Sequence, residues 1–458
     1  MHHLTLLPDE LLAEILNWAT LTGHAAQLRP RKRDYDTVQS LSRVSQRFHR
    51  VVTPFLYEEI RFAHPTLCQR CMVPPMAKAR KLHQLLQLNP TLRPLCVSLY
   101  IDIDDSGANT EENFQVLDDM VSWFTRLRSL VIVGGFFSKG PEKVRERTLS
   151  LIHRTQSLKQ LKEFKIEGNM WDEIGGVSLA ETVKYANSHS LQTLEISAAG
   201  LSKPSSIPDM LVPQTSRSAS FTSVRLMGCK DYPKAIAALI HWPKELVHFT
   251  INTSGSFVSD MNLHDIGMCL SIHKDTLKSI YIDLLGFPHG LSFNAANFPQ
   301  LEVLRLSRTQ ICEDPWNRKF EWEPVYADLL LGPNLNTFGL VFGVMGHSLI
   351  NNWGHKEEEW IRQLAKAAWK RKAALKTIEI TFSPVSPYPN LKQGIYPDWE
   401  YVYPWDRMDK LGGQIQRYGL TLEYTAPPWT KEEWLSEVNH CSHSVIPCGN
   451  DDGEFDDA

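Results

Sequence analysis

Three segments of this 458-residue chain carry residue types that could do chemistry. In DIDDSGANTEEN (residues 102–113), Asp102, Asp104 and Ser106 occupy positions one, three and five of a calcium loop, with Gly107 at six. The twelfth position, which needs a bidentate Glu, is Asn113, and a strand pattern rather than a helix precedes the segment. It therefore reads as a turn into the next helix, capped by Asn109 or Thr110. Cys68 and Cys71 form a single CxxC with His64 and His83 nearby, and HCSHSVIPC supplies His440, Cys441, His443 and Cys448. Zinc sites bring two ligand pairs at fixed separation, and neither segment does so alone. No nucleophile elbow, HExxH or Walker loop occurs. The reading is a chain without catalytic residues, metal or cofactor.

The elements that would position any site follow one recurring pattern, apolar-x-x-apolar-x-apolar. It starts at Leu92, Leu127, Leu161, Leu191, Phe221, Leu246, Leu277, Leu301, Leu335 and Leu375, at intervals of 24–40 residues. The last two apolar positions alternate with polar ones, the period of a half-buried strand. Between copies lie helical patterns, such as residues 111–126 with Phe114, Leu117, Val121 and Phe124, and residues 357–374 with Trp360, Leu364 and Ala368. Strand and helix in alternation make successive strands parallel, because each helix carries the chain back. Stacked units of this kind share a core that none could bury alone. A doubly wound α/β sheet is the runner-up, disfavoured by ten near-identical strand cores and the lack of a glycine-rich phosphate loop.

Composition bounds the partners. Hydrophobic residues are 43% and charged residues 22%, enough for a sizeable core. Of the net charge of −4, five acids fall in the last eight residues (Asp451, Asp452, Glu454, Asp456 and Asp457), so the rest is nearly neutral. A neutral body lacks the basic footprint of a nucleic-acid binder. Acids interrupt the N-terminal apolar residues, unlike a signal peptide, and no apolar run is long enough to span a membrane. Eight scattered cysteines do not form a disulfide framework, which points to the cytoplasm, the nucleus or both.

The repeats resemble those of leucine-rich-repeat proteins, LxxLxLxxN/C. The ninth position matches only at Asn169 and Cys229; elsewhere it is Ala199, Ser254, Thr309 or a larger residue. The resemblance implies an irregular α/β solenoid, a horseshoe with parallel strands and convex-side helices. Residues alternating with the buried strand positions would form its concave, target-binding face: Glu163, Lys165, Glu195, Arg225, His248, Tyr281, Asp283, Arg305 and Glu379. A purely solvated role is the alternative for each. The N-terminal pair LPDELLAEIL and LSRVSQRFHRVVTPFLYEEI resembles an F-box, a small helical module that docks onto the Skp adaptor of cullin–RING ubiquitin ligases, in a fungal type of F-box protein. Carried over residue by residue, the adaptor-facing set is Leu7, Pro8, Ile15, Leu16, Val44 and Phe48. The helix pattern from Leu41 through Val44, Phe48, Val51 and Val52 is expected to end at Pro54. The connection at residues 18–37 is longer than usual; its RPRKR segment (residues 29–33) reads as a solvated loop, with a nuclear-import signal as the alternative.

The expected organisation is an F-box at 1–62, a linker helix at 63–90 and the repeat solenoid at 91–385. An aromatic-rich cap at 386–440 loses the repeat, and an acidic tail follows at 441–458. Residues 386–440 hold ten of the 26 Trp and Tyr residues, a cap or else an aromatic recognition pocket. The function implied is the substrate-recognition subunit of a Skp–cullin–F-box ligase that binds an unknown target protein, with neither nucleic acid nor membrane as partner. A repeat scaffold without ligase is the alternative, and a hydrolase or transferase on an α/β sheet is a distant third.

Overall fold

The structure, a computed structural model, describes residues 7–22, 32–62, 75–103, 111–136, 142–168, 176–186, 189–200, 217–253, 261–283, 285, 290–312, 320–342, 353–382 and 403–436. The calcium-like residues 104–110, Cys68, Cys71 and His440–Cys448 lie outside them. The chain divides into two compact units, Met1–Thr222 with Trp242–Lys244, and Ser223–His241 with Glu245–Ala458.

The first unit opens with three helices, α1 (Asp9–Ala19), α2 (Tyr35–Ser42) and α3 (Gln46–Glu58). A short antiparallel pair, β1 (Leu21–Thr22) with β2 (Lys32–Arg33), joins α1 to α2. Leu12, Leu16, Val38, Val51 and Val52 form the core, with Leu41, Phe48, Phe55 and Leu56 packed against it. Leu41, Val44 and Phe48 are not on one helix, contrary to the spacing argument. The chain breaks after Arg43, and Ser45, in extended conformation, accepts the Phe48 N–H at 3.2 Å as the cap of α3. Nor does Pro54 end that helix. Proline removes the bond to the carbonyl four residues back, but Phe55 and Leu56 beyond it are held against the core, so the helix continues to Glu58. Arg33 of the RPRKR segment is not solvated. Its side chain, 11% exposed, pairs with Glu58 at 2.8 Å and donates to Asn17 and Thr20 at 2.9 Å.

The remainder of this unit is a parallel sheet in sequence order. It comprises β3 (Glu59–Phe62), β4 (Ser98–Ile103), β5 (Ser129–Gly134), β6 (Glu163–Glu167) and β7 (Thr193–Ser197). Helices α4 (Pro75–Leu88), α5 (Glu111–Trp123), α6 (Glu142–Arg154) and α7 (Leu179–Tyr185) return the chain between them. The first strand, β3, falls within the 1–62 segment assigned to the helical module. The first repeat copy is also displaced. Leu92 and Leu95 lie in a 3-10 helix (Pro90–Leu95), and the pattern in register is Cys96, Leu99 and Ile101, with Leu99 opposite Leu130.

The second unit is a parallel sheet of β8 (Ser223–Met227), β9 (His248–Asn252), β10 (Ser279–Ile282), β11 (Val303–Ser307), β12 (Thr337–Val341), β13 (Thr377–Thr381) and β14 (Thr421–Tyr424), again in sequence order. Its helices are α8 (Pro233–His241), α9 (Leu263–Leu270), the single turn α10 (Arg308–Ile311), α11 (Tyr326–Leu330), α12 (His355–Arg371) and α13 (Pro404–Gln416). Three apolar positions per copy are buried, for example Leu301, Leu304 and Leu306, each fully enclosed. The repeat does not stop at residue 385: α13 and β14 add one more helix–strand unit, with Ile378 opposite Leu422. Charged side chains tie the helices from within. Glu357 pairs with Arg308 at 2.7 Å, while Glu358 takes Arg362 at 2.8 Å and Arg407 from α13.

Candidate docking surfaces

The N-terminal module presents an apolar face because α1 carries two stripes. Leu12 and Leu16 point into the core, whereas Leu11, Ile15 and Trp18, one turn apart along the neighbouring stripe, are 49%, 44% and 59% exposed. Val44, in the break between α2 and α3, is 59% exposed. Of the residues assigned to the adaptor, Ile15, Val44 and Pro8 are therefore at the surface and Leu7 is half-buried. Leu16 is a core residue, 5% exposed, and Phe48 packs on the same core, so the exposed apolar set lacks Leu16 and includes Leu11 and Trp18. The signal for Trp18 was in the sequence: positions 11, 15 and 18 repeat the helical step beside a second stripe that already suffices for a small core.

The entry to α1 is fixed from α3. Arg47 donates to the Leu7 carbonyl and, at 2.8 Å, to Asp9, which also holds Arg50 at 2.5 Å. These hydrogen bonds, that from Arg47 first, keep the Asp9 carboxyl below its ordinary range. Pro8 contributes the first intrahelical acceptor, taking the Leu12 N–H at 3.0 Å.

Each unit also presents the sheet face opposite its buried rows. In the first unit, Tyr100, Val131, Lys165 and Glu195 stand in one register row. Lys165 bridges Glu195 at 2.9 Å and Glu167 at 3.2 Å. Burial works to lower the Lys165 pKa, but Glu195 and Glu167 outweigh it and raise the group above its ordinary value. Arg61 lies over the Tyr100 ring at 5.7 Å and pairs with Glu59. Glu163 is exposed at the start of its strand.

In the second unit the row is Arg225, Thr250, Tyr281, Arg305, Gly339, Glu379 and Glu423. Arg305 reaches across β12 to Glu379 with two bonds of 2.6 and 3.0 Å. With strands about 4.8 Å apart, that span crosses two strand spacings. Gly339 allows it, since a Cβ there would lie 2.6 Å from the Arg305 Cγ. His248 is at the surface, and local burial with the Arg225 and Lys278 charges holds its pKa below the usual value. Asp283 is not on the surface. It is 2% exposed at the end of β10, where its carboxylate accepts the Asn252 amide at 2.8 Å and the Tyr281 hydroxyl at 3.4 Å. Burial and that carboxylate push the Tyr281 phenol well above its ordinary range.

Around Trp405 the described part of the aromatic C-terminal region is packed. Trp405 contacts Tyr403, Phe382 and Trp434 at ring distances of 5.0, 5.6 and 5.8 Å, and its Nε1 donates to the Thr425 carbonyl at 2.8 Å. Tyr403 donates to the Trp429 carbonyl at 2.9 Å. Trp399 and Tyr401 lie outside the described residues. Among the described residues, no group of three His, Cys, Asp or Glu side chains could hold a metal ion, and no helix is long and apolar enough to cross a membrane. The first surface offers exposed apolar area, the second a laterally paired array of charge.

No protein-family model matches the chain, and no curated protein matches it.

Proposed function

We propose that the chain is the substrate-recognition subunit of a Skp–cullin–F-box ubiquitin ligase, with a leucine-rich-repeat-like target-binding region. The observation that carries the reading is the exposed stripe Leu11, Ile15 and Trp18 with Val44, on a helical module whose own core needs none of them. An apolar patch of this kind on so small a module favours a protein partner. The Skp-family adaptor would cover it, and the ligase core in the cytoplasm or nucleus would supply the chemistry. The chain's contribution would be proximity, holding a target lysine near the charged conjugating enzyme.

The target would meet the sheet face, where Lys165, Arg305 and Glu379 offer charges already held in place by their neighbours. A repeat scaffold without ligase is the second reading, favoured by the same pairing, because those charges are satisfied without a target. Co-purification of the adaptor with the full chain separates the two. Recovery that is lost in Ile15→Asp with Trp18→Asp, while the variant keeps its circular dichroism and thermal midpoint, supports the ligase subunit. No recovery with the wild-type chain, or recovery unchanged by the two substitutions, removes it.

A further inference from the structure

The second unit carries a pocket of about 620 Å³ at the end of α12 that neither docking surface uses. Its walls are Trp369, Lys370 and Lys372 from the helix end, Leu375 leading into β13, and Tyr418 and Leu420 from the turn between α13 and β14. On α12 the inner stripe, Trp360, Leu364 and Ala368, is buried, but Trp369 is 58% exposed. Its ring lies 5.9 Å from that of Tyr418, giving two aromatic surfaces with space between them and solvent.

The rim is cationic. Arg417 stacks on the Tyr418 ring at 4.8 Å and donates to its hydroxyl at 2.9 Å. Lys370 and Lys372 make no ion pair among the described residues, whereas neighbouring Arg371 is taken by Asp328 at 2.6 Å. The last carbonyls of α12 do not oppose an anion here. Lys372, in left-handed conformation (φ +51°), and Ala373 donate their N–H groups to Trp369 and Ala368 at 3.1 and 2.9 Å. Aromatic walls beneath unpaired cations fit an acidic segment that contains an aromatic residue.

The chain holds such a segment itself. DDGEFDD, residues 451–457, sets Phe455 among five acids and supplies the negative charge that the rest of the sequence lacks. Fourteen residues, 437–450, separate it from Ser436, the last described residue. At about 3.3–3.6 Å per residue they span up to roughly 50 Å, ample to return to the helix–strand unit they leave. A tether of this length gives an effective concentration that a free peptide reaches only near millimolar levels.

We propose that Asp451–Asp457 docks in cis on the Trp369 and Tyr418 pocket, with Phe455 against the rings and the flanking carboxylates over Lys370, Lys372 and Arg417. The pocket is then a self-occupied site that an acidic, aromatic-containing segment of another protein enters only by displacing the chain's own. This inference does not depend on the ligase reading.

Two measurements on the full chain decide it. With Phe455 replaced by photo-reactive benzoylphenylalanine, irradiation should link position 455 to peptides containing residues 368–375 or 416–420 of the same molecule. Trp369→Ala, a surface change that leaves the fold intact, should remove that link. A link elsewhere, a link between two copies, no link, or one that survives Trp369→Ala overturns the proposal. Second, a fluorescent peptide of residues 449–458 should bind Phe455→Ala at least tenfold more tightly than wild type, since the native segment no longer competes. Lys370→Glu with Lys372→Glu should cancel that gain, as should high ionic strength. Equal affinity for wild type and Phe455→Ala overturns it.

Discussion

Helix α1 and the terminal helix–strand unit formed by α13 and β14 are both rich in large apolar side chains, and they dispose of them in opposite ways. On α1, Trp18 stands 59% exposed beside Leu11 and Ile15, while the module closes its core with smaller aliphatic residues. In the terminal unit Trp405 is 3% exposed, ringed by other aromatics, with its indole N–H bonded to a carbonyl. A tryptophan is costly to leave in water. One left 59% exposed presents apolar surface that a partner could cover, whereas one packed and hydrogen-bonded is already at work as core. Aromatic density in the sequence therefore does not by itself tell a recognition surface from a core.

The largest expected effect is on the buried side of that contrast. Trp405→Ala leaves a cavity among Phe382, Tyr403 and Trp434 and orphans the Thr425 carbonyl. Replacements of this kind cost about 3–5 kcal/mol. Calorimetry should show a clear fall in the thermal midpoint, and a midpoint unchanged from wild type would return the aromatic region to the role of recognition pocket. Next comes Arg33→Met, which breaks the ties from β2 to α1 and α3 and removes the guanidinium from over Phe55, 4.6 Å below it. Because Glu58 is half in water and can resolvate, the cost should be about 1–3 kcal/mol. Denaturant midpoints of the full chain measure it.

A smaller effect concerns the sheet face. Lys165 is raised above its ordinary value by Glu195 and Glu167. Its ion pairs therefore stabilise fully below the unfolded-state value, and that contribution is lost as pH rises through the folded-state value. Lys165→Met should flatten the alkaline limb of a stability-versus-pH curve and leave the neutral region nearly level. A limb unchanged by the substitution would mean that the pairs contribute nothing, leaving these charges free for a target.

The strand array was legible because each copy buries three residues at fixed offsets, so nine of the ten pattern copies place their fourth and sixth residues in a strand. Where the offsets blur, so does the reading. At β14, where Leu422 and Tyr424 stand opposite Ile378 and Ile380, the leading position is Gly419, so only two of the three positions carry the signal. At β3 the pattern Tyr57, Ile60, Phe62 is intact, but its first member sits inside α3, whose helical spacing masks it. The break before Ser45 was hidden for the converse reason. Three- and four-residue steps continue across it by coincidence, and only the capping serine marks the new helix. The bond from Arg305 to Glu379, 74 residues apart, depends on a register that local sequence does not state. Asp283 shows the limit of alternation, which holds within a strand and fails at its last turn.

The exposed side of the contrast gives the smallest stability change and the most informative one. Trp18→Ala removes a side chain that is 59% exposed, so the change should lie within about 0.5 kcal/mol. If Trp18 serves the module, its loss should approach that of Trp405. If it serves a partner, stability should be level while adaptor recovery falls steeply, because a central aromatic anchor commonly contributes 2 kcal/mol or more to an interface, roughly a thirtyfold change in affinity. Measuring both quantities on one variant sets the two ends of the molecule on a single scale. A stable variant that still recovers the adaptor would leave Leu11, Ile15 and Val44 to carry the contact, and a destabilised one would make α1 an ordinary core helix.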